Sequence, residues 1–173
     1  MHILIVAHSG SGKRDLMKQI IFHLDTPLFG YQTVKEDSLA DDEKGSPIYI
    51  YEIGKPRIRS SENLAGWCLN HHATTFPEAF DRFAPKLYDP VPADHLIVLD
   101  EIGPMESKSP AFCEAILKLL DGDTPVLAAV RDKDTAFLNT VRGHPNCKCF
   151  HLTPDSREEI LSEVINQLKE AST

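Results

Sequence analysis

Three apolar runs and a fourth run of mixed polarity recur along the chain, each followed by a stretch in which apolar positions return every three or four residues. The first, Ile3-Leu4-Ile5-Val6, is short and rich in β-branched side chains, the pattern of a strand buried on both faces of a parallel sheet. Leu16, Ile20, Ile21 and Leu24 then repeat at helical spacing, predicting strand, loop, helix. Residues 95–100 form the second run, residues 125–130 the third and residues 147–152 the fourth. Helices are expected after each of the later runs. One opens at Ser109-Pro110, with a capping hydroxyl and a proline at its first position, and ends at Gly122. A short one passes through Ala136 and Leu138, and a last one opens at Thr153-Pro154, with Ile160, Leu161, Val164, Ile165 and Leu168 as its apolar stripe.

Between the first helix and the second run the pattern changes. Residues 29–34 and 48–53 alternate aromatic and β-branched side chains and read as two strands of a β-hairpin excursion. The connection between them carries Glu36, Asp37, Asp41, Asp42 and Glu43 together with Gly45 and Pro47, and is expected to be exposed. Residues 54–75 show no clear period. A helix over residues 77–87 follows, with Phe80, Phe83 and Leu87 on one face and Pro85 predicting an early or kinked end. Strands alternating with helices predict a mostly parallel α/β sheet covered by helices on both faces. A chain of 173 residues is about one domain, so a single domain over 1–173 is expected.

Composition narrows the function. The net charge is −8, with the acids dispersed, which argues against a nucleic-acid footprint. No apolar run approaches membrane-spanning length. Cys68, Cys113, Cys147 and Cys149, in a chain without a signal-like start, predict a reducing, cytoplasmic setting.

The chemistry gathers where the first strand ends. Ala7-His8-Ser9-Gly10-Ser11-Gly12-Lys13-Arg14 has the spacing of a phosphate-binding loop, with Ala7 in place of the first glycine and Arg14 in place of the final hydroxyl residue. Its glycines allow backbone N–H groups to turn toward a phosphate, and Lys13 can reach the β- and γ-phosphates. Arg14 has no lone pair for a metal and cannot replace the hydroxyl that ligates Mg²⁺ in such loops. In a parallel sheet ligands bind at the carboxyl ends of the strands, where the second run ends in Asp100-Glu101. Asp100 is a candidate Mg²⁺ ligand and Glu101 a candidate base for an attacking water.

Asp100-Glu101-Ile102-Gly103-Pro104-Met105-Glu106 resembles the signature of the small P-loop nucleoside-triphosphatases known as the cancer-related NTPase family. The loop at residues 7–14, Gly30-Tyr31-Gln32-Thr33 and Thr153-Pro154-Asp155-Ser156-Arg157 are similar to that family in order and spacing. The resemblance implies a RecA-like fold and Mg²⁺-dependent hydrolysis of ATP, GTP and other nucleoside triphosphates. By position, it implies phosphate binding by Ser9 to Lys13, Mg²⁺ at Asp100 and water activation by Glu101. The family's Gly-Lys-Thr-Thr is here Gly-Lys-Arg-Asp, so a nucleotide-binding module with little hydrolysis is the alternative reading. A small-molecule kinase with an acceptor pocket in residues 54–75 ranks third.

Arg131 follows the third run and could stabilise charge on a transferring phosphoryl group, against a bland reading as a partner of Asp132 or Asp134. Arg142 has less support. Cys68 with His71 and His72, and Cys147 with Cys149, lack the spacing of a zinc site, and packing roles are expected for them. Tyr31, Tyr49, Tyr51 and Trp67 could stack on a base, or pack beneath the hairpin.

Overall fold

A computed structural model describes residues 1–173. The strands are β1 (His2–Ala7), β2 (Leu28–Lys35), β3 (Ser46–Glu52), β4 (Leu64–Leu69), β5 (His72–Thr75), β6 (Leu96–Ile102), β7 (Val126–Arg131) and β8 (Cys147–His151). The helices are α1 (Lys13–Leu24), α2 (Pro77–Phe83), α3 (Pro110–Asp121), α4 (Ala136–Arg142) and α5 (Arg157–Ala171). All eight strands join one sheet in the order β5-β4-β3-β2-β6-β7-β1-β8. The five from β2 to β8 in that order run parallel, while β3, β4 and β5 extend the β2 edge by antiparallel pairing.

Alternate residues of the central strands feed two cores, which is why their sequences read as unbroken apolar runs. Ile3 and Ile5 of β1, Leu96 and Val98 of β6, and Leu127 and Ala129 of β7 face α1 and α5, packing against Leu16, Ile20, Ile160 and Val164. Leu4 and Val6, Ile97 and Leu99, and Val126, Ala128 and Val130 face the other way, onto Phe80, Phe83, Phe112, Ile116, Leu138 and Val141 of α2, α3 and α4. Tyr31 is fully buried in this second core, its ring 4.8 Å from that of Phe112 in an edge contact. Gly30 beside it stands at φ +133, where an added Cβ would collide with the Val98 carbonyl oxygen of β6.

Three stretches add detail to the sequence reading, and in one of them the expectation is corrected. Residues 54–75, which carry no legible period, contain the hairpin β4–β5. Its turn places Asn70 (φ 51) and His71 (φ 66) both in the left-handed region, a geometry usually signalled by a glycine that is absent here. The last helix begins at Arg157 rather than at Thr153-Pro154. The Thr153 N–H donates to Ser156 Oγ at 2.8 Å, closing a turn that delays the helix. The helix over residues 77–87 ends early, as Pro85 predicts: it stops at Phe83 and continues as a 3₁₀ turn, Ala84–Tyr88, because Pro85 has no N–H for the α ladder.

Candidate active site

β6, β7 and β1 lie side by side, and their carboxyl ends form one edge. Ala7 pairs with Arg131 and Asp100 with Ala129, and a register shift between Asp100 and Ile102 turns Glu101 out of the ladder. The loop of residues 8–12 crosses this edge. Gly10 and Gly12 stand at φ +75 and +83, conformations that strain any residue with a Cβ. Ser11 Oγ donates to the His8 carbonyl at 2.6 Å, and Arg157 Nη1 donates to the Gly12 carbonyl at 3.0 Å, so the start of α5 holds the loop's end. The backbone N–H groups of Ser9 through Arg14 donate to no acceptor within the protein. Together with the N-terminus of α1 they form an anion-binding concavity.

Ser9 through Arg14 line a cleft of about 560 Å³ that also takes in Asp100, Glu101 and Arg131. Ala7 and His8 are not in its lining. Ala7 is buried at the end of β1, its carbonyl accepting from the Asp132 N–H, and His8 turns toward the Asp132 carboxylate at 3.8 Å. In a chain of net charge −8 this cleft is a basic locus, with Lys13, Arg14, Lys35, Lys108, Arg131 and Lys133 along it. A cleft of similar size, about 590 Å³, lies at the opposite end of the strands around Pro27, Leu96 and Pro125, and holds no comparable cluster of cations.

Glu101 is the hub. Its Oε2 pairs with Lys13 Nζ and its Oε1 accepts from Arg131 Nη2 at 2.8 Å. Burial alone would raise this carboxyl, but the Lys13 and Arg131 charges outweigh it and hold Glu101 below the usual carboxylate range. Arg131 therefore partners Glu101, rather than Asp132 or Asp134. Its Nε is buried and without a partner. Arg142 shapes the same corner from behind, donating to the Arg131 carbonyl at 2.9 Å and to the Lys133 carbonyl at 2.7 Å.

Glu106 acquires a role that the sequence did not supply. Its Oε2 accepts the Gly103 N–H at 2.9 Å, pinning the turn that follows Glu101. Burial, reinforced by repulsion from Glu101, raises its pKa to about 8. Tyr31 lies beneath the site and donates its hydroxyl to the Glu101 carbonyl at 2.9 Å, so it belongs to the core and not to a base-stacking wall. Tyr49 stacks on Tyr51, and Lys44 sits over Trp67, both away from the loop. His71 and His72 reach the cleft wall on the β4–β5 hairpin, beside Thr75, whose buried Oγ1 has no partner. The four cysteines are unpaired, and no three histidine, cysteine or acidic side chains cluster as a metal group.

The Mg²⁺ implied by the resemblance can be tested against these donors. Arg14, at the position of the usual hydroxyl, donates from Nη2 to the Thr33 carbonyl at 3.1 Å. Burial raises the Asp100 carboxyl, and Arg14 is the strongest charge acting against that rise. Both Glu101 oxygens are engaged by cations. The protein thus offers one free carboxylate, under the charge of Arg14, and no loop hydroxyl, so a divalent cation would find at most a single side-chain ligand of the usual pair here. Asp15 is exposed on the cleft's rim.

A family model described as NTPase matches residues 2–165. The chain belongs to the NTPase family. Within the family, nucleoside-triphosphatase THEP1 of Thermotoga maritima is 31% identical over 98% of this chain and 96% of that protein. Nucleoside-triphosphatase THEP1 of Methanothermobacter thermautotrophicus is 24% identical over 97% and 96%. The crystal structure of THEP1 from the hyperthermophile Aquifex aeolicus matches with a TM-score of 0.70 and 26% identity, covering 97% of this chain and 99% of that one. The solution structure of a human cancer-related nucleoside triphosphatase shares the fold, with a TM-score of 0.68 at 19% identity over 98% and 97%. The resemblance read from residues 100–106 and the loop is confirmed at the level of the family.

Proposed function

We propose that the protein hydrolyses nucleoside triphosphates to the diphosphate and phosphate in the cleft between the loop and β6. The observation that carries this reading is the meeting of Lys13, Glu101 and Arg131 beside a loop whose backbone N–H groups are unspent. The amides of Ser9 to Lys13 hold the phosphates, and Lys13 leaves Glu101 for the β- and γ-phosphate oxygens. Glu101, kept ionised by its cations, then accepts a proton from water as the water oxygen bonds to the γ-phosphorus. The bond to the β,γ-bridging oxygen breaks in the same step. Arg131, held by Glu101, supports the charge spread over the transferring group.

The converging groups address phosphate rather than base, which supports tolerance of ATP, GTP and other bases. Each of these steps is carried by backbone and side chains of the chain itself. Asp100 is the one side chain here suited to Mg²⁺, and Arg14 is the strongest charge acting on its carboxyl. The four unpaired cysteines support a reducing compartment such as the cytoplasm. No helix is long and apolar enough to cross a membrane.

Phosphate release from ATP, GTP, CTP and UTP, with and without Mg²⁺, tests the assignment. Glu101→Gln is expected to slow release by roughly 10²-fold or more while retaining nucleotide binding. Lys13→Ala is expected to weaken binding as well as turnover. A wild-type protein that binds nucleotide and releases no phosphate would overturn hydrolysis in favour of the binding-module reading.

A further inference from the structure

Arg14 stands where phosphate-binding loops carry the metal's hydroxyl ligand, and nothing in the hydrolytic scheme accounts for its geometry. It is exposed at the first turn of α1, yet its side chain is directed across the carboxyl edge of the sheet, where Nη2 meets the Thr33 carbonyl of β2 at 3.1 Å. That hydrogen bond holds the guanidinium at β2, whose Gln32 pairs with Asp100 of β6, and Arg14 is the strongest charge acting on the Asp100 carboxyl. A guanidinium has five N–H donors, and this one spends a single bond within the protein. Arg14 lines the same cleft as Lys13 and the loop of residues 9–12, so its other donors are available there.

In a site of this kind a divalent cation neutralises phosphate oxygens and links them to the carboxylate at the end of the neighbouring strand. Arg14 offers both: a positive charge that acts on the Asp100 carboxyl, and a planar donor array suited to two phosphate oxygens. A divalent ion placed next to it would meet like charge and one carboxylate. We propose that Arg14 takes over the charge-neutralising role of a divalent cation, so that the cleft binds the triphosphate of the metal-free nucleotide. The inference rests on the phosphate-cleft reading above and specifies which form of the nucleotide the cleft accepts.

Calorimetric titration of ATP into the full-length chain tests it, once in Mg²⁺ buffer and once in EDTA. The wild-type dissociation constant is expected to differ by less than about threefold between the two buffers. Arg14→Gln keeps a polar, hydrogen-bonding side chain but removes the guanidinium and its charge. It is expected to weaken metal-free binding by more than about tenfold. Arg14→Thr restores the loop hydroxyl, and is expected to bind in Mg²⁺ and to lose more than about tenfold in EDTA. Wild-type affinity that falls more than about tenfold in EDTA overturns the inference and leaves the phosphate cleft standing, as does an Arg14→Gln variant that binds metal-free ATP like wild type. Absence of ATP binding by the wild type in either buffer overturns both together.

Discussion

Glu101 owes its charge to two neighbours, and these neighbours divide its work. Lys13 leaves it when phosphate arrives, whereas Arg131 is anchored from behind through its carbonyl by Arg142 and stays. Removing the Arg131 charge takes away one of the two influences that keep the Glu101 carboxyl low. Arg131→Gln is therefore expected to reduce kcat by roughly 10²-fold or more, with a smaller change in KM, and to move the acid limb of the rate profile to higher pH. A purely structural arginine would instead lower the unfolding midpoint and leave the pH profile in place. Steady-state kinetics across pH, run beside urea unfolding, distinguishes the two.

At the scale of elements, helix ends hold the edge in shape. Ser109 Oγ accepts the Phe112 N–H at 3.2 Å as the cap of α3 and donates to Asp81 Oδ1 at 2.5 Å, tying that cap to α2. Ser109 is fully buried, so Ser109→Ala removes a cap and strands a carboxylate partner at once. A loss of about 1–2 kcal/mol in unfolding free energy is expected from urea denaturation, with turnover per folded molecule little changed. Thr135 caps α4 in the same way through the Leu138 N–H; of the two, the Ser109 cap was legible as a hydroxyl residue before a proline and an apolar stripe. The β4–β5 hairpin was not visible, because its turn uses Asn70-His71 and its strands are short and mixed in polarity. The start of α5 was misplaced by one turn because Ser156 competes for the backbone around Thr153.

For the whole molecule, the balance of buried charges makes stability depend on pH. Glu106 has an ordinary pKa of 4.5 when unfolded and about 8 when folded, so the native state binds this proton more tightly. Below 4.5 the group is protonated in both states and costs the fold nothing. As pH rises from 4.5 toward about 8 the unfolded chain loses the proton first, and stability falls across that window. His2 works in the other direction. Its buried ring accepts the Val126 N–H at Nδ1 and lies 3.0 Å from the Leu120 carbonyl at Nε2, and burial lowers its pKa from 6.5. It destabilises the fold as pH drops below 6.5. Glu106→Gln is expected to abolish the alkaline decline and leave the acid one. Urea midpoints measured from acid to alkaline pH check this, and parallel curves for the two proteins would contradict the assignment of Glu106.

The sequence by itself determined the alternation of strands and helices, the loop after β1 and the acidic pair at the end of β6, since each is written in adjacent residues through apolar period, glycine spacing and chain order. It also carried the family, through residues 100–106. The tertiary structure alone decided which distant groups meet. That Arg131 belongs to Glu101, that Arg157 holds the Gly12 carbonyl, and that Arg14 reaches the Thr33 carbonyl follow from the order β2-β6-β7-β1-β8, which no local pattern encodes. The same holds for the burial of Glu106, which is the main cause of its raised pKa, with the nearby Glu101 charge adding to it. Side-chain pairing and desolvation are properties of packing, and they appear only once the strands lie side by side.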